Sequence, residues 1–123
     1  MSLPLEETWI TLVRHAAEVP RHLTTSGAFQ RLIDEEDAGR VAAFAHVVDL
    51  RSEREHYHRR SAELYYVLDG EGQIMLDGQT QAVGPGSIVH VPPGVIHAVR
   101  GTLRVLVVGI PEISADDTHY LDE

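Results

Sequence analysis

Leu64-Tyr65-Tyr66-Val67-Leu68-Asp69-Gly70-Glu71-Gly72-Gln73-Ile74-Met75-Leu76-Asp77-Gly78 decides the fold class of this chain. Residues 64–68 are an apolar, aromatic-rich run of strand length, residues 69–72 predict a turn, and residues 73–76 read as its antiparallel return. Asp77-Gly78 is a second hairpin signal. The same pattern continues downstream: Gly84-Pro85-Gly86, a β-compatible run over 87–91, the stop Pro92-Pro93-Gly94, a run over 96–99, and a last apolar run over 103–110. Upstream, residues 41–50 form another such run, closed by the polar connection Ser52-Glu53-Arg54-Glu55. Short strands at roughly ten-residue spacing, with Gly/Pro turns and no sustained helical periodicity, indicate an all-β protein built as an antiparallel sandwich or barrel.

The first forty residues carry weaker signals. Residues 29–33 read as a strand, and Asp34-Glu35-Glu36-Asp37 as the solvated turn that follows, since these acids lack the alternating spacing and closing Glu of a calcium loop. Residues 9–13 read as a strand that pairs with the sheet or with a neighbouring subunit. The residues after Pro111 are rich in acid and read as a terminal extension.

Composition narrows the chemistry. At 123 residues, 43% hydrophobic and 24% charged, the chain fits one globular domain, 1–123. It has no apolar run of about eighteen residues that could span a membrane. No basic-then-apolar signal opens it, so a cytoplasmic location is expected. Nineteen acidic against ten basic residues give a net charge of -9, which argues against nucleic acid as a partner. Cys, Lys and Asn are absent, which removes thiolate nucleophiles, sulfur ligands and lysine Schiff bases. Eight histidines remain as the reactive stock.

Their spacing is informative. His56 and His58 are two apart, so on a strand both imidazoles point to one face. Glu63 follows a short polar connection, where a hairpin return can bring its carboxylate to the same centre, with Tyr65 and Val67 sharing its parity. His97 comes just after the rigid Pro92-Pro93-Gly94 turn. Three imidazoles and one carboxylate suit one divalent transition metal: Mn, Fe, Co, Ni, Cu or Zn. An octahedral ion held by four ligands keeps two positions open for substrate or dioxygen.

At these residues the chain resembles the cupin superfamily, and its small single-domain metal-binding members in particular. His56-Tyr57-His58, four residues, Glu63, six residues and Gly70 match the family's first motif. Gly86, five residues, Pro92, one residue, Gly94, two residues and His97 match its second. Leu50 stands where the first motif usually opens with Gly, and Gly101 where the second often closes with Asn; neither position is a ligand. The resemblance spans residues 50–101 and implies a conical antiparallel β-barrel, a jelly-roll-like double-stranded β-helix, with the part before about residue 40 as an N-terminal strand extension. It implies metal ligands His56, His58, Glu63 and His97 at the barrel mouth, and a homodimer that pairs or exchanges N-terminal strands.

Two further histidines have open roles. His46 shares parity with Phe44 and Val48 and either faces the cavity, as an acid or base, or packs as a core residue. His90, beside the Pro-Pro turn, faces either the barrel or the outer sheet. His15, His22 and His119 read as surface residues, and Arg59 and Arg60 either steer an anionic substrate or face water. The first functional expectation is a metal-dependent enzyme acting on a small oxygenated molecule, dioxygenase-like, with Glu63 and Tyr65 as its catalytic groups. The alternatives are a sugar isomerase or epimerase, and a non-catalytic module that binds or senses a small-molecule ligand.

Overall fold

A computed structural model describes residues 11–24, 27–34, 37, 43–111, 113 and 115–121. Among these residues nine antiparallel strands and two 3-10 turns account for the regular structure: β1 His22–Thr24, β2 Gly27–Ile33, β3 Phe44–Ser52, β4 His56–Tyr57, β5 Ala62–Leu76, β6 Gln79–Val83, β7 Ile88–Val91, β8 His97–Ile110 and β9 His119–Tyr120. No helix among them is long and apolar enough to cross a membrane.

Strands β5 and β8 organise the barrel. They pair along almost their whole lengths, from Ala62↔Ile110 to Leu76↔His97. Strand β7 flanks the first part of β5 and β6 the second, while β3, β2 and β1 extend the sheet from the later part of β8. Strand β4 joins the start of β8, and β9 covers the outer edge of β4. Glu63 pairs with Gly109, which lies about 40 Å along an extended β8 from His97 at roughly 3.3 Å per residue. Yet the Glu63 carboxylate is 2.9 Å from His97. Only a sheet curled back on itself brings them together.

The curl passes through residues predicted to be a turn. Residues 69–72 do not reverse the chain: β5 is one strand of 15 residues. The runs 96–99 and 103–110 likewise merge into β8. The Asp and Gly residues mark a bend, because β5 has a register shift between Val67 and Asp69 and Gly72 lies opposite Gly101. Gly70 holds φ +87°, and a Cβ there would lie 2.2 Å from the Thr102 carbonyl oxygen. The backbones approach where side chains are missing, and local composition alone does not separate such a crossing from a turn. Asp77-Gly78 is the true hairpin, both residues left-handed at φ 47° and 84° as a type I′ turn requires.

Inward-facing residues of these strands form one core, including Phe44, Leu50, Tyr65, Val67, Ile74, Val99, Leu103, Val105 and Val107. Leu50, at the position where the motif usually has Gly, is therefore a core residue. The expected strand over 9–13 is not found in its described part: residues 11–13 are irregular and Val13 is fully exposed, while Trp9 and Ile10 lie outside the described residues. The strand expected over 29–33 begins earlier, at Gly27.

Candidate metal centre

The four residues of the two motifs converge. Ligand atoms of His56, His58, Glu63 and His97 all lie within 4.8 Å of one another, and all four residues are buried. Each arrives from a different part of the fold: His56 from β4, opposite His97 at the start of β8, His58 from the connection beyond, and Glu63 from the start of β5. The loop before His97 is fixed at both ends. Gly94 N–H donates to the His58 carbonyl at 2.6 Å, and Ile96 N–H to the Asp77 carboxylate at 2.8 Å.

Hydrogen bonds fix which imidazole nitrogen faces inward. The Nδ1 atoms of His56, His58 and His97 lie 2.7, 2.9 and 2.9 Å from the carbonyl oxygens of Arg54, Asp117 and Val95. A carbonyl only accepts, so each Nδ1 carries its hydrogen and each Nε2 keeps its lone pair for the centre. Glu63 Oε1 lies 3.1 Å from His58 Nε2 and 2.9 Å from His97 Nε2. Despite that short distance, His97 Nε2 makes no hydrogen bond, in a residue with no exposed surface. A buried polar nitrogen without a partner is costly, and a cation between it and the carboxylate removes that cost.

Electrostatics favour the ligand form of Glu63 and His56 but add a proton's competition at His58 and His97. Burial alone pushes the Glu63 carboxyl up, but the adjacent His58 and His97 imidazoles outweigh it and hold the group down to about 2, an anionic ligand. Burial, followed by the charge of His97, lowers His56 to about 4 and keeps it neutral. For His58 and His97 burial is the largest influence, yet the Glu63 carboxylate overrides it and raises both. Protons therefore compete with a metal at those two nitrogens. The donor set, three oriented imidazoles and one ionised carboxylate, fits a divalent transition ion.

Tyr65 lines the centre on its inner side. It is 3% exposed, its ring stands edge-on to His97 at 6.2 Å, and its hydroxyl lies 3.5 Å from Glu63 Oε1. Burial, then the carboxylates of Glu53 and Glu63, raises its pKa well above the usual value, so it remains a hydroxyl donor. It also belongs to the packed core.

The other histidines divide. His46 has the parity of the cavity-facing residues Phe44, Val48 and Leu50, lies opposite Val107, and packs against Phe44 and Phe29 at 4.4 and 6.0 Å between ring centres. It is outside the ligand cluster. His90 pairs with Leu64 and is exposed on the outer face. His15 and His22 are exposed, but His119 is half-buried, 5.1 Å from the Tyr57 ring in a stacked arrangement. Arg59 and Arg60 are exposed, and Arg60 pairs with Asp116 at 2.9 Å.

Two contributors were not legible from the motifs. Glu53 lies in the connection before β4 and replaces a missing rung of the ladder: its N–H donates to the Val99 carbonyl at 2.8 Å and its carboxylate accepts from Val99 N–H at 3.1 Å. Part of the residue reaches the surface, but the enclosed carboxyl is raised to about 7, chiefly by burial. The second is the acidic tail, which is no free extension. Asp117 is 1% exposed, and its carboxylate accepts from the backbone N–H groups of Arg59 and Arg60 at 2.9 and 3.0 Å. A buried carboxylate is tolerated when backbone donors surround it, a condition no count of acidic residues reveals.

Residues 47–109, just over half of the chain, match the family described as Cupin domain, and the chain belongs to that family. No curated protein matches it in sequence. Among solved structures it is similar to a protein from Planctomyces limnophilus, at 22% identity and a TM-score of 0.83, covering 92% of this chain and 99% of that one. It is similar to Pac13, described as a nucleoside dehydratase and also solved as the Streptomyces protein with uridine, at 18% identity and a TM-score of 0.76, covering 91% of this chain and 92% of that one. It is similar also to the polyketide cyclase RemF from Streptomyces resistomycificus, at 24% identity and a TM-score of 0.74, covering 91% and 86%. At such identities the likeness establishes the fold.

Proposed function

We propose that this cupin is a metal-dependent enzyme that acts on a small oxygenated molecule at the His56, His58, Glu63 and His97 centre. The observation that carries this reading is the convergence of four buried ligand atoms with every imidazole Nδ1 tied back to a carbonyl. A bound divalent ion supplies Lewis acidity and, for a redox-active metal, access to dioxygen chemistry. The chain's own residues do the rest. Glu63, held ionised by its imidazole neighbours, can take a proton once it loosens from the ion, and Tyr65, held neutral, can donate its hydroxyl toward Glu63 or a substrate oxygen. Both residues are buried, 5% and 3% exposed, which limits the access of bulk water to the pair.

Dioxygenase chemistry is the first form of the proposal. The Tyr65–Glu63 distance of 3.5 Å supports a second form, proton transfer of the isomerase or epimerase kind, which needs an acid and a base but no oxidant. The dehydratase and cyclase among the structural neighbours are in keeping with it. The deciding experiment loads the protein with Fe(II), Mn(II), Ni(II), Cu(II) or Zn(II) and screens enediols, hydroxyketones, catechols and dicarboxylates for turnover, with dioxygen uptake recorded. Glu63→Gln should lose turnover by about 100-fold or more while retaining most of the metal, because the amide oxygen still coordinates but is a poor base. Ligand binding without turnover for every metal would leave a binding or sensor module instead.

We also propose a homodimer, now through a sheet face. On the outside of the barrel Tyr66 lies between Ile88 and Leu106, and Leu64 between His90 and Val108. Ile88, Tyr66, Leu68 and Ile110 are 64%, 43%, 44% and 48% exposed. An apolar face of this kind on a sheet is commonly covered by a second copy.

A further inference from the structure

The three ligand histidines are oriented by different means. His56 and His97 bond the carbonyls of Arg54 and Val95, each two residues upstream, so the strand that carries the ligand also aims it. His58 has no such local support. Its Nδ1 bonds the carbonyl of Asp117, 59 residues away in sequence, with Thr118 Oγ1 at 3.5 Å as a further neighbour. The same Asp117 holds the chain immediately after His58, because its carboxylate accepts the N–H groups of Arg59 and Arg60. Its backbone oxygen thus takes the ring and its side chain takes the turn.

The rest of the C-terminal segment fastens Asp117 in place. Strand β9 pairs Tyr57↔His119 and His56↔Tyr120, and Leu121 N–H reaches the Glu55 carbonyl at 3.4 Å. The Arg54 guanidinium lies 4.0 Å from the centre of the Tyr120 ring, and His119 Nε2 lies 3.4 Å from Asp117 Oδ1. Residues 115–121 therefore clasp β4, which carries His56, and the connection after it, which carries His58.

We propose that Asp117 is the positioning residue for His58, so that the centre reaches full metal affinity only with the C-terminal segment docked on β4. This rests on the reading of the centre as a metal site. With the clasp absent, the His58 ring can rotate about χ1 and χ2, and the centre falls to two imidazoles and one carboxylate. Orienting partners of ligand histidines typically account for about 10–100-fold in metal affinity, which sets the expected size of the effect.

The test is a thermodynamic cycle in the full-length protein, with Zn(II) and Co(II) affinities measured by competition with a chelator. Asp117→Ala should weaken Zn(II) by about 10–100-fold and change the visible Co(II) spectrum as one nitrogen ligand is lost. Asp117→Asn, which keeps an oxygen acceptor for one of the two N–H groups, should lie between it and the parent. In a His58→Ala background, Asp117→Ala should cause no further loss, since the ligand it orients is already gone. Asp116→Ala, a neighbouring exposed acid, should bind as the parent does. Unchanged affinity in Asp117→Ala, or a full additive loss in the His58→Ala background, overturns the proposal and leaves Asp117 a fold residue. A parent protein that takes up neither Zn(II) nor Co(II) overturns the metal reading and this proposal with it. Thermal unfolding of each metal-free variant checks that the fold is intact, and long-range 1H–15N spectra of the metal-free protein read the His58 tautomer directly. Loss of a defined Nδ1–H form at His58 alone is expected in Asp117→Ala, and its retention counts against the proposal.

Discussion

His97 and Val105 lie on the same strand, point to the same side of it and have no exposed surface, yet they belong to two different regions of the barrel. Around Val105, the buried side chains of Val67, Leu103, Val107 and Leu50 belong to one hydrophobic core cluster. Around His97, a carboxylate, two more imidazoles and a tyrosine hydroxyl crowd together, and one nitrogen has no hydrogen bond. Burial in the first region stabilises the fold, at about 25 cal/mol per Å2 of apolar area removed from water. Burial in the second costs stability unless a proton or a cation completes it, since a buried polar group without a partner costs about 1–3 kcal/mol. The fold is thus supported by the middle of the barrel, and the candidate centre is a buried polar cluster that a proton or a cation would complete.

The contrast breaks most visibly at its apolar side. Val105→Asp puts an unpaired charge in the packed middle and should exceed about 4 kcal/mol, enough to abolish a cooperative thermal transition followed by circular dichroism. At the mouth the pattern reverses. His97→Ala should leave the metal-free melting temperature within a few degrees of the parent while weakening metal binding by more than about 100-fold. It should also remove the rise in melting temperature that metal gives the parent. A melting loss as large as that of a buried valine truncation would mean that the mouth is ordinary core.

The outer face offers a smaller effect that should leave both interior regions untouched. Ile88→Arg or Tyr66→Arg should convert a dimer of about 27 kDa, twice the 13.6 kDa chain, into monomers in light scattering, with metal affinity unchanged. Parent protein that scatters as a monomer at all concentrations removes the dimer.

The smallest effects are in pH. His46 is lowered to about 4, chiefly by burial and then by Arg31, so the unfolded chain takes up a proton near 6.5 that the folded chain refuses. Stability from this group is full above 6.5 and is lost as pH falls toward 4. Glu53 is raised to about 7, so its contribution is full below 4.5 and is lost as pH rises through 7. The two oppose each other across the same window. Relative to the metal-free parent, His46→Gln should gain stability on acidification from 7 to 4.5 and Glu53→Gln should lose it. Each effect should be on the order of 1 kcal/mol after solvent screening, read from urea midpoints. Parallel profiles for parent and variants would show that neither group is desolvated as described.

Much of the site was written in the sequence. The period of two in a strand puts His56 and His58 together, the spacing of the two motifs adds Glu63 and His97, and Asp77-Gly78 specifies its own hairpin because only certain residues tolerate two left-handed positions. These are local signals, fixed by backbone geometry within a few residues. Gly70 and Gly72 show where local signals end. Their composition is that of a turn, but they serve a crossing in which β5 passes against the backbone of β8, more than twenty-five residues away in sequence. Asp117 shows the same for charge. An acidic tail is expected in water, and the arrival of the Arg59 and Arg60 N–H groups, with His119 beside them, makes the burial of Asp117 favourable. What the sequence by itself determined is which residues gather at the candidate centre and which strands alternate, because those depend on residue type and period. The tertiary structure alone decided that β5 runs on, that His46 faces inward and His90 outward, and that the tail clasps His58, because those depend on which distant backbone supplies the partner.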